Sequence, residues 1–242
     1  MTVIVVSGTG TEIGKTVTTA AVAALALAAG RSVAVLKPAQ TGVAPGEPGD
    51  AQEVTRLAGD EITTLELARF PEPLAPNTAA RRAGMAPVRP YEVAEAAQKL
   101  AAGHDLVLIE GAGGLLVRYD DEGATLADAA RLLTAPVLMV APAGLGTLNT
   151  TALTAEALRA RALEPLGVTI GSWPAAPDLA SHCNLADLPQ AAGAPLLGAV
   201  PQGAGALAPD DFRARAGGWL GPELGGTWNS AAFTARETPG AR

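Results

Sequence analysis

The chain has 242 residues, with 17 Lys plus Arg against 24 Asp plus Glu, a net charge of −7, and 48% apolar residues. That length and apolar content suit one domain with a sizeable core. The negative balance without a basic cluster argues against nucleic acid or an anionic membrane as partner, while leaving room for an anionic small molecule in a locally positive pocket.

A single cysteine, Cys183, cannot build a disulfide framework, which points to a cytoplasmic protein. The longest apolar run, residues 20–29, is shorter than the ~18 residues that span a bilayer, and no charged segment opens the chain, so neither secretion nor membrane insertion is expected. Only Lys15, Lys37 and Lys99 are lysines; Arg serves elsewhere, so each lysine asks for an explanation.

In chain order, residues 2–7 (T-V-I-V-V-S) predict a strand, Gly8 to Thr16 a Gly/Thr loop, and 15–29 an Ala-rich helix closed by Gly30. The loop reads G-T-G-T-E-I-G-K-T. Its opening glycine lies one residue earlier than in the strict phosphate-loop pattern, but Gly14, Lys15 and Thr16 stand intact at the helix start. There, backbone N–H groups cradle phosphate oxygens, Lys15 neutralises their charge and the Thr16 hydroxyl can reach Mg²⁺.

A second strand, 32–37 (S-V-A-V-L-K), stops before Pro38 and delivers Lys37 to the same pocket. Helix 50–58 begins at Asp50, as an N-cap, a metal ligand or both. Residues 59–90 carry many Pro and Arg with no period and read as a surface excursion, followed by helix 91–102, where Lys99 solvates a polar face. Strand 105–110 (D-L-V-L-I-E) ends in Glu110 and G-A-G-G, a carboxylate placed where nucleotide hydrolases hold a metal.

Helices over 125–133, 150–162 and 183–192 alternate with strands over 137–141, 166–172 and 195–200. His104 and His182 lack partners at ligand spacing, and Cys183 reads as a small packing residue. Beyond a helix near 209–216, the last twenty residues, from about 221, are expected to be a poorly ordered tail on a single domain of residues 1–220. The strands are apolar throughout, so the fold class is α/β: a mostly parallel β-sheet flanked by helices on both faces, like phosphate-loop nucleotide hydrolases.

With the phosphate loop, K-P-A-Q-T-G at 37–42 and E-G-A-G-G at 110–114, the sequence resembles the dethiobiotin synthetases. The resemblance extends to L-G-T-L-N at 145–149 and P-L-L-G-A-V-P at 195–201, about the first 200 residues. It implies an ATP- and Mg²⁺-dependent ring closure of 7,8-diaminononanoate with CO₂ to dethiobiotin, in biotin biosynthesis, through a carbamate and a carbamic-phosphoric anhydride.

Carried over position by position, it implies metal ligands at Thr16, Asp50 and Glu110. Catalysis would fall to Lys37, Lys15 and Thr11, and nucleotide contacts to Glu12, Ile13, Gly14, Val17, Gly111, Ala112 and Gly113. Thr41 and Gly114 would meet the diamine, and a homodimer would lend Leu145, Gly146, Thr147, Leu148 and Asn149 from the neighbouring subunit. Three departures stand out: Gly10 where the family often has Asp, Ser172 and Trp173 where it often has Asn-Asp at the base, and no acid over 203–208. Pro201, Gln202 and Gly203 then face the base with backbone only, which leaves other nucleoside triphosphates open beside ATP.

Two other readings exist. Corrin-type amidotransferases need a glutaminase module for which this length has no room, and partner-positioning ATPase switches use an extra lysine early in the loop, absent from residues 8–14.

Overall fold

The computed structural model describes residues 2–237. Seven parallel strands form one sheet: β1 (Thr2–Gly8), β2 (Val33–Thr41), β3 (Thr63–Phe70), β4 (Leu106–Gly114), β5 (Val137–Ala141), β6 (Pro165–Trp173) and β7 (Leu196–Pro201). Their order is β3-β2-β4-β1-β5-β6-β7, so each pair of sheet neighbours is joined through crossovers rather than hairpins. One face is covered by α1 (Lys15–Ala28), α2 (Asp50–Ala58) and α8 (Pro209–Ala216). The other is covered by α3 (Pro76–Ala83), α4 (Pro90–Ala101), α5 (Leu126–Leu133), α6 (Thr147–Arg159), α7 (Leu179–Ala192) and α9 (Ser230–Glu237). Burial on both faces explains the unbroken apolar runs: Val137 to Ala141 are all buried.

Several expectations need correction. Residues 59–90 are not a surface excursion; they contain β3 and α3. β3 is a half-buried edge strand that carries Glu66 and Arg69, an ion pair at 2.7 Å, so its apolar content never formed a run.

β2 does not stop at Lys37 but continues to Thr41, and β4 runs past Glu110 to Gly114. Pro38 is tolerated because the ladder to β3 resumes around it, with Lys37 opposite Glu66 and Ala39 opposite Ala68. The domain does not end at 220: Trp228 and Phe233 are buried, so the chain packs to Glu237, and residues 238–242 of the expected tail lie outside the described residues. Finally, α6 begins at Thr147, three residues before the predicted helix, and α7 at Leu179, where the Asp178 carboxylate accepts from the Ser181 N–H at 2.8 Å.

Cys183 is exposed rather than packed. Lys99 is 73% exposed and pairs with Glu95 one turn away, as a solvated helix face should. His104 bridges the Leu100 carbonyl and the Thr63 hydroxyl at 2.7 and 2.8 Å, a structural role. Among the described residues no helix is long and apolar enough to cross a membrane.

Candidate active site

The carboxyl ends of β1, β2 and β4 open onto a cavity of about 820 Å³, within the range of small-molecule sites. Its floor is the phosphate loop, with Thr11, Glu12, Ile13, Gly14, Lys15, Thr16 and Val17 all lining it. Gly14 adopts φ 92°, a left-handed turn that an L side chain resists, and a Cβ there would strike the Gly171 carbonyl. Glu12 is also left-handed, at φ 56°, a backbone strain of about 1 kcal/mol retained where the loop curls.

No side chain caps α1 and no acid sits in its first turn, so its N–H groups and positive dipole end stay available to an anion. The Lys15 ammonium folds back to donate to the Gly10 carbonyl at 2.9 Å, a contact that Gly10 makes with backbone alone.

Lys37 is the buried centre of the site, 2% exposed. It pairs with Asp50, donates to Glu110 Oε1 at 3.0 Å and reaches the Gly111 carbonyl at 3.2 Å. Burial opposes its charge, but the Glu110 and Asp50 carboxylates outweigh burial and raise its pKa above the ordinary lysine value. Lys15 shifts the opposite way: burial first, then repulsion from Lys37, lower its pKa against the pull of Glu110 and Asp50.

Thr16 donates its hydroxyl to Glu110 Oε1 at 2.9 Å, while Glu110 Oε2 is buried with no hydrogen-bond partner. Asp50 is not an N-cap; Gly49 holds that position and Asp50 is the first helical residue, its carboxylate turned to Lys37. Thus Thr16, Asp50, Glu110 and both lysines, predicted from four separate segments, converge. Thr41, Gly111, Ala112 and Gly113 line the same cavity, and Gly114 pairs with Gly8 at its edge.

Several residues were not foreseen. Gln40 accepts from the Asp50 N–H at 2.8 Å through Oε1 and so fixes the start of α2. Pro73 to Pro76, from the loop after β3 to the first residue of α3, form a wall of the cavity, which no sequence signal marked once that region was read as surface. Behind the glycine segment, Tyr119 is fully buried, and burial pushes its phenol up to about 12.

The remaining predicted residues lie elsewhere. Ser172, Trp173, Pro201, Gln202 and Gly203 do not line the cavity; they meet at the ends of β6 and β7, where Trp173 pairs with Pro201 and the Gln202 N–H donates to the Trp173 carbonyl at 2.7 Å. The Trp173 ring is buried beside His182 and Phe233, with centroids at 6.2 and 5.3 Å, so it packs in the core rather than facing a base. Leu145 is 93% exposed, Gly146 caps α6 at φ 92°, and Thr147, Leu148 and Asn149 form its first turn, away from this chain's own cavity.

Comparison with known proteins agrees with this geometry. A family profile described as an AAA domain matches residues 2–208. The chain is 72% identical over 239 residues to the ATP-dependent dethiobiotin synthetase of Streptomyces avermitilis, covering 99% of this chain and all of that one. It is 70% identical over 239 residues to the corresponding protein of Streptomyces coelicolor, with the same coverage.

Among solved structures it is similar to the MinC:MinD cell division complex of Aquifex aeolicus (TM-score 0.54, 12% identity, 89% of this chain and 86% of that one). It is also similar to the cell division ATPase MinD of Pyrococcus furiosus (0.51, 18%, 83% of each). At those identities the likeness concerns the fold, that of the phosphate-loop nucleotide hydrolases. A phosphate loop feeding a site of two lysines and two carboxylates, in a chain matched end to end by these relatives, places it in the family of ATP-dependent dethiobiotin synthetases, enzymes of biotin biosynthesis.

Proposed function

We propose that the cavity binds a nucleoside triphosphate on the phosphate loop and a 7,8-diaminononanoate carbamate beside Lys37, and that the enzyme closes the ureido ring by the carbamic-phosphoric anhydride route. The observation that carries this reading is Lys37, buried yet held charged by Glu110 and Asp50, facing one cavity with Lys15. One amine takes up CO₂ as a carbamate; its oxygen attacks the γ-phosphorus and ADP leaves. The second amine then attacks the carbamoyl carbon and expels phosphate. Negative charge grows on carbamate and phosphoryl oxygens in the first step, and two fixed ammonium groups in a partly dry site stabilise that growth without reorganising.

Mg²⁺ fits the oxygen donors present. Glu110 Oε2 is a buried acceptor without a partner, and Thr16 and Asp50 stand beside it. Among the described residues no group of three or more His, Cys, Asp or Glu gathers, so the protein offers two carboxylates and a hydroxyl, leaving places for water and phosphate oxygens as Mg²⁺ prefers. When bound, the ion neutralises phosphate charge and orients the triphosphate. Lys37 then keeps Asp50 and Glu110 at the spacing that receives it.

We further propose a cytoplasmic homodimer in which the partner's copy of the 145–149 segment meets the diamine. The exposure of Leu145, with Leu153 at 57%, supports a covered surface there. Incubation with the diamine, bicarbonate and Mg-ATP should yield dethiobiotin by mass. Phosphate release that ignores the diamine would refute the reading.

A further inference from the structure

The C-terminal helix α9 has no counterpart among the predicted site residues, yet a chain of contacts ties it to the phosphate loop. Phe233 is buried and sits edge-on to the Trp173 ring at 5.3 Å; Trp228 tilts against it at 5.3 Å, and the Arg236 guanidinium lies 4.8 Å over its face. These contacts fix one aromatic ring against two indoles and a cation. Trp173 is the last residue of β6, and its carbonyl accepts from the Gln202 N–H, while the Gln202 side chain accepts from the Ala175 N–H at 3.3 Å.

Two residues before Trp173, Gly171 presses its backbone directly on the phosphate loop. A Cβ on Gly171 would collide with the Ile13 carbonyl, and one on Gly14 with the Gly171 carbonyl. The β6 end therefore has no slack toward the loop. Any shift of Trp173 is passed to Ile13 and Gly14 by contact, because close-packed backbone transmits displacement rather than absorbing it.

We propose that Phe233 and Trp173 are positioning residues for nucleotide binding: α9 holds the β6 end against the phosphate loop and so sets affinity for the triphosphate. This rests on the phosphate loop's binding of a nucleoside triphosphate but not on the ring-closing chemistry. Neither side chain lines the cavity itself, and their contact reaches it through Ile13 and Gly14 of the phosphate loop, so the effect should fall on nucleotide and spare the diamine.

The test uses the full chain. Phe233→Ala and the milder Phe233→Leu are compared with wild type for ATP Kd by equilibrium dialysis, KM for ATP, KM for the diamine, kcat and Tm. Expected is an ATP Kd and KM raised about five-fold or more, with kcat and diamine KM within about two-fold, and recovery in Phe233→Tyr, which keeps the ring. If Tm falls while ATP Kd stays unchanged in both variants, α9 only stabilises the fold and the proposal is wrong. A parallel loss in both KM values and kcat overturns it too, as general loosening. Should Phe233→Ala fail to fold, Phe233→Leu and Phe233→Tyr decide alone. Weakened ATP binding in an enzyme that makes no dethiobiotin would uphold this inference and sink the ring-closing assignment instead.

Discussion

Removing the Lys37 ammonium separates catalysis from stability. In the folded protein it touches Asp50, Glu110 Oε1 and the Gly111 carbonyl, and Glu110 is itself only 1% exposed. Lys37→Ala leaves a buried carboxylate without its cation, a change that costs about 3 kcal/mol, or a Tm drop of about 6–12 °C at this chain length. Turnover should fall by a factor on the order of 10², about 2.7 kcal/mol of transition-state stabilisation. The two losses have different causes.

In Lys37→Met with Glu110→Gln no buried orphan charge remains, since the Asp50 carboxylate is 36% exposed and water can solvate it, so most of the Tm should return while activity stays lost. Lys37→Arg should not restore turnover, because a planar fork does not fit a pocket shaped around a compact ammonium. The assays are thermal unfolding by circular dichroism and dethiobiotin formation by mass. A Lys37→Ala protein that forms dethiobiotin at near wild-type rate removes this lysine from the mechanism. A double variant that stays as unstable as the single one refutes the uncompensated-charge account.

Three further outcomes follow from the same geometry. Glu110→Gln keeps the shape of the site but replaces an acceptor oxygen, so Mg²⁺ titration of nucleotide use should shift to higher concentration; an unchanged requirement would leave Glu110 only as the partner of Lys37 and Thr16. Because the ends of β6 and β7 offer few fixed polar groups, with the Gln202 amide oxygen already accepting from the Ala175 N–H and Trp173 turned into the core, kcat/KM for ATP, GTP and CTP should agree within about two orders of magnitude, and strict dependence on one triphosphate would show that backbone reads the base. Lys15 has a lowered pKa in the fold, so the unfolded chain binds more protons between that value and the ordinary lysine pKa, and stability rises with pH through that window. Lys15→Met should therefore raise the nucleotide-free Tm near neutral pH, with the gap to wild type closing as the pH rises toward the ordinary lysine pKa, while ATP binding is lost; a lower Tm would contradict the burial penalty.

Local chemistry carried much of the sequence reading. The Gly14, Lys15, Thr16 ending puts backbone N–H groups and one ammonium at a helix start, all supplied by contiguous residues, so it is legible without tertiary knowledge. Lys37 and Glu110 were legible for a similar reason: each is a charge closing a doubly buried apolar run, and in a parallel sheet such charges gather at one edge.

What sequence could not provide was anything set by how elements pack. β3 is half-solvated at the sheet edge, so its alternating Leu65, Glu66, Leu67 was lost among Pro and Arg, and with it the wall at Pro73 to Pro76. Trp173 could as well have faced a base as a core; only the arrival of Phe233 from sixty residues downstream sends its ring inward. The Gly171 contact with Ile13 is between two backbones 158 positions apart, and side-chain patterns do not encode the distance between main chains. Charge and periodicity are written residue by residue, whereas the pairing of Lys37 with Asp50 and the seating of the phosphate loop on β6 arise only when the sheet brings separate strands within contact.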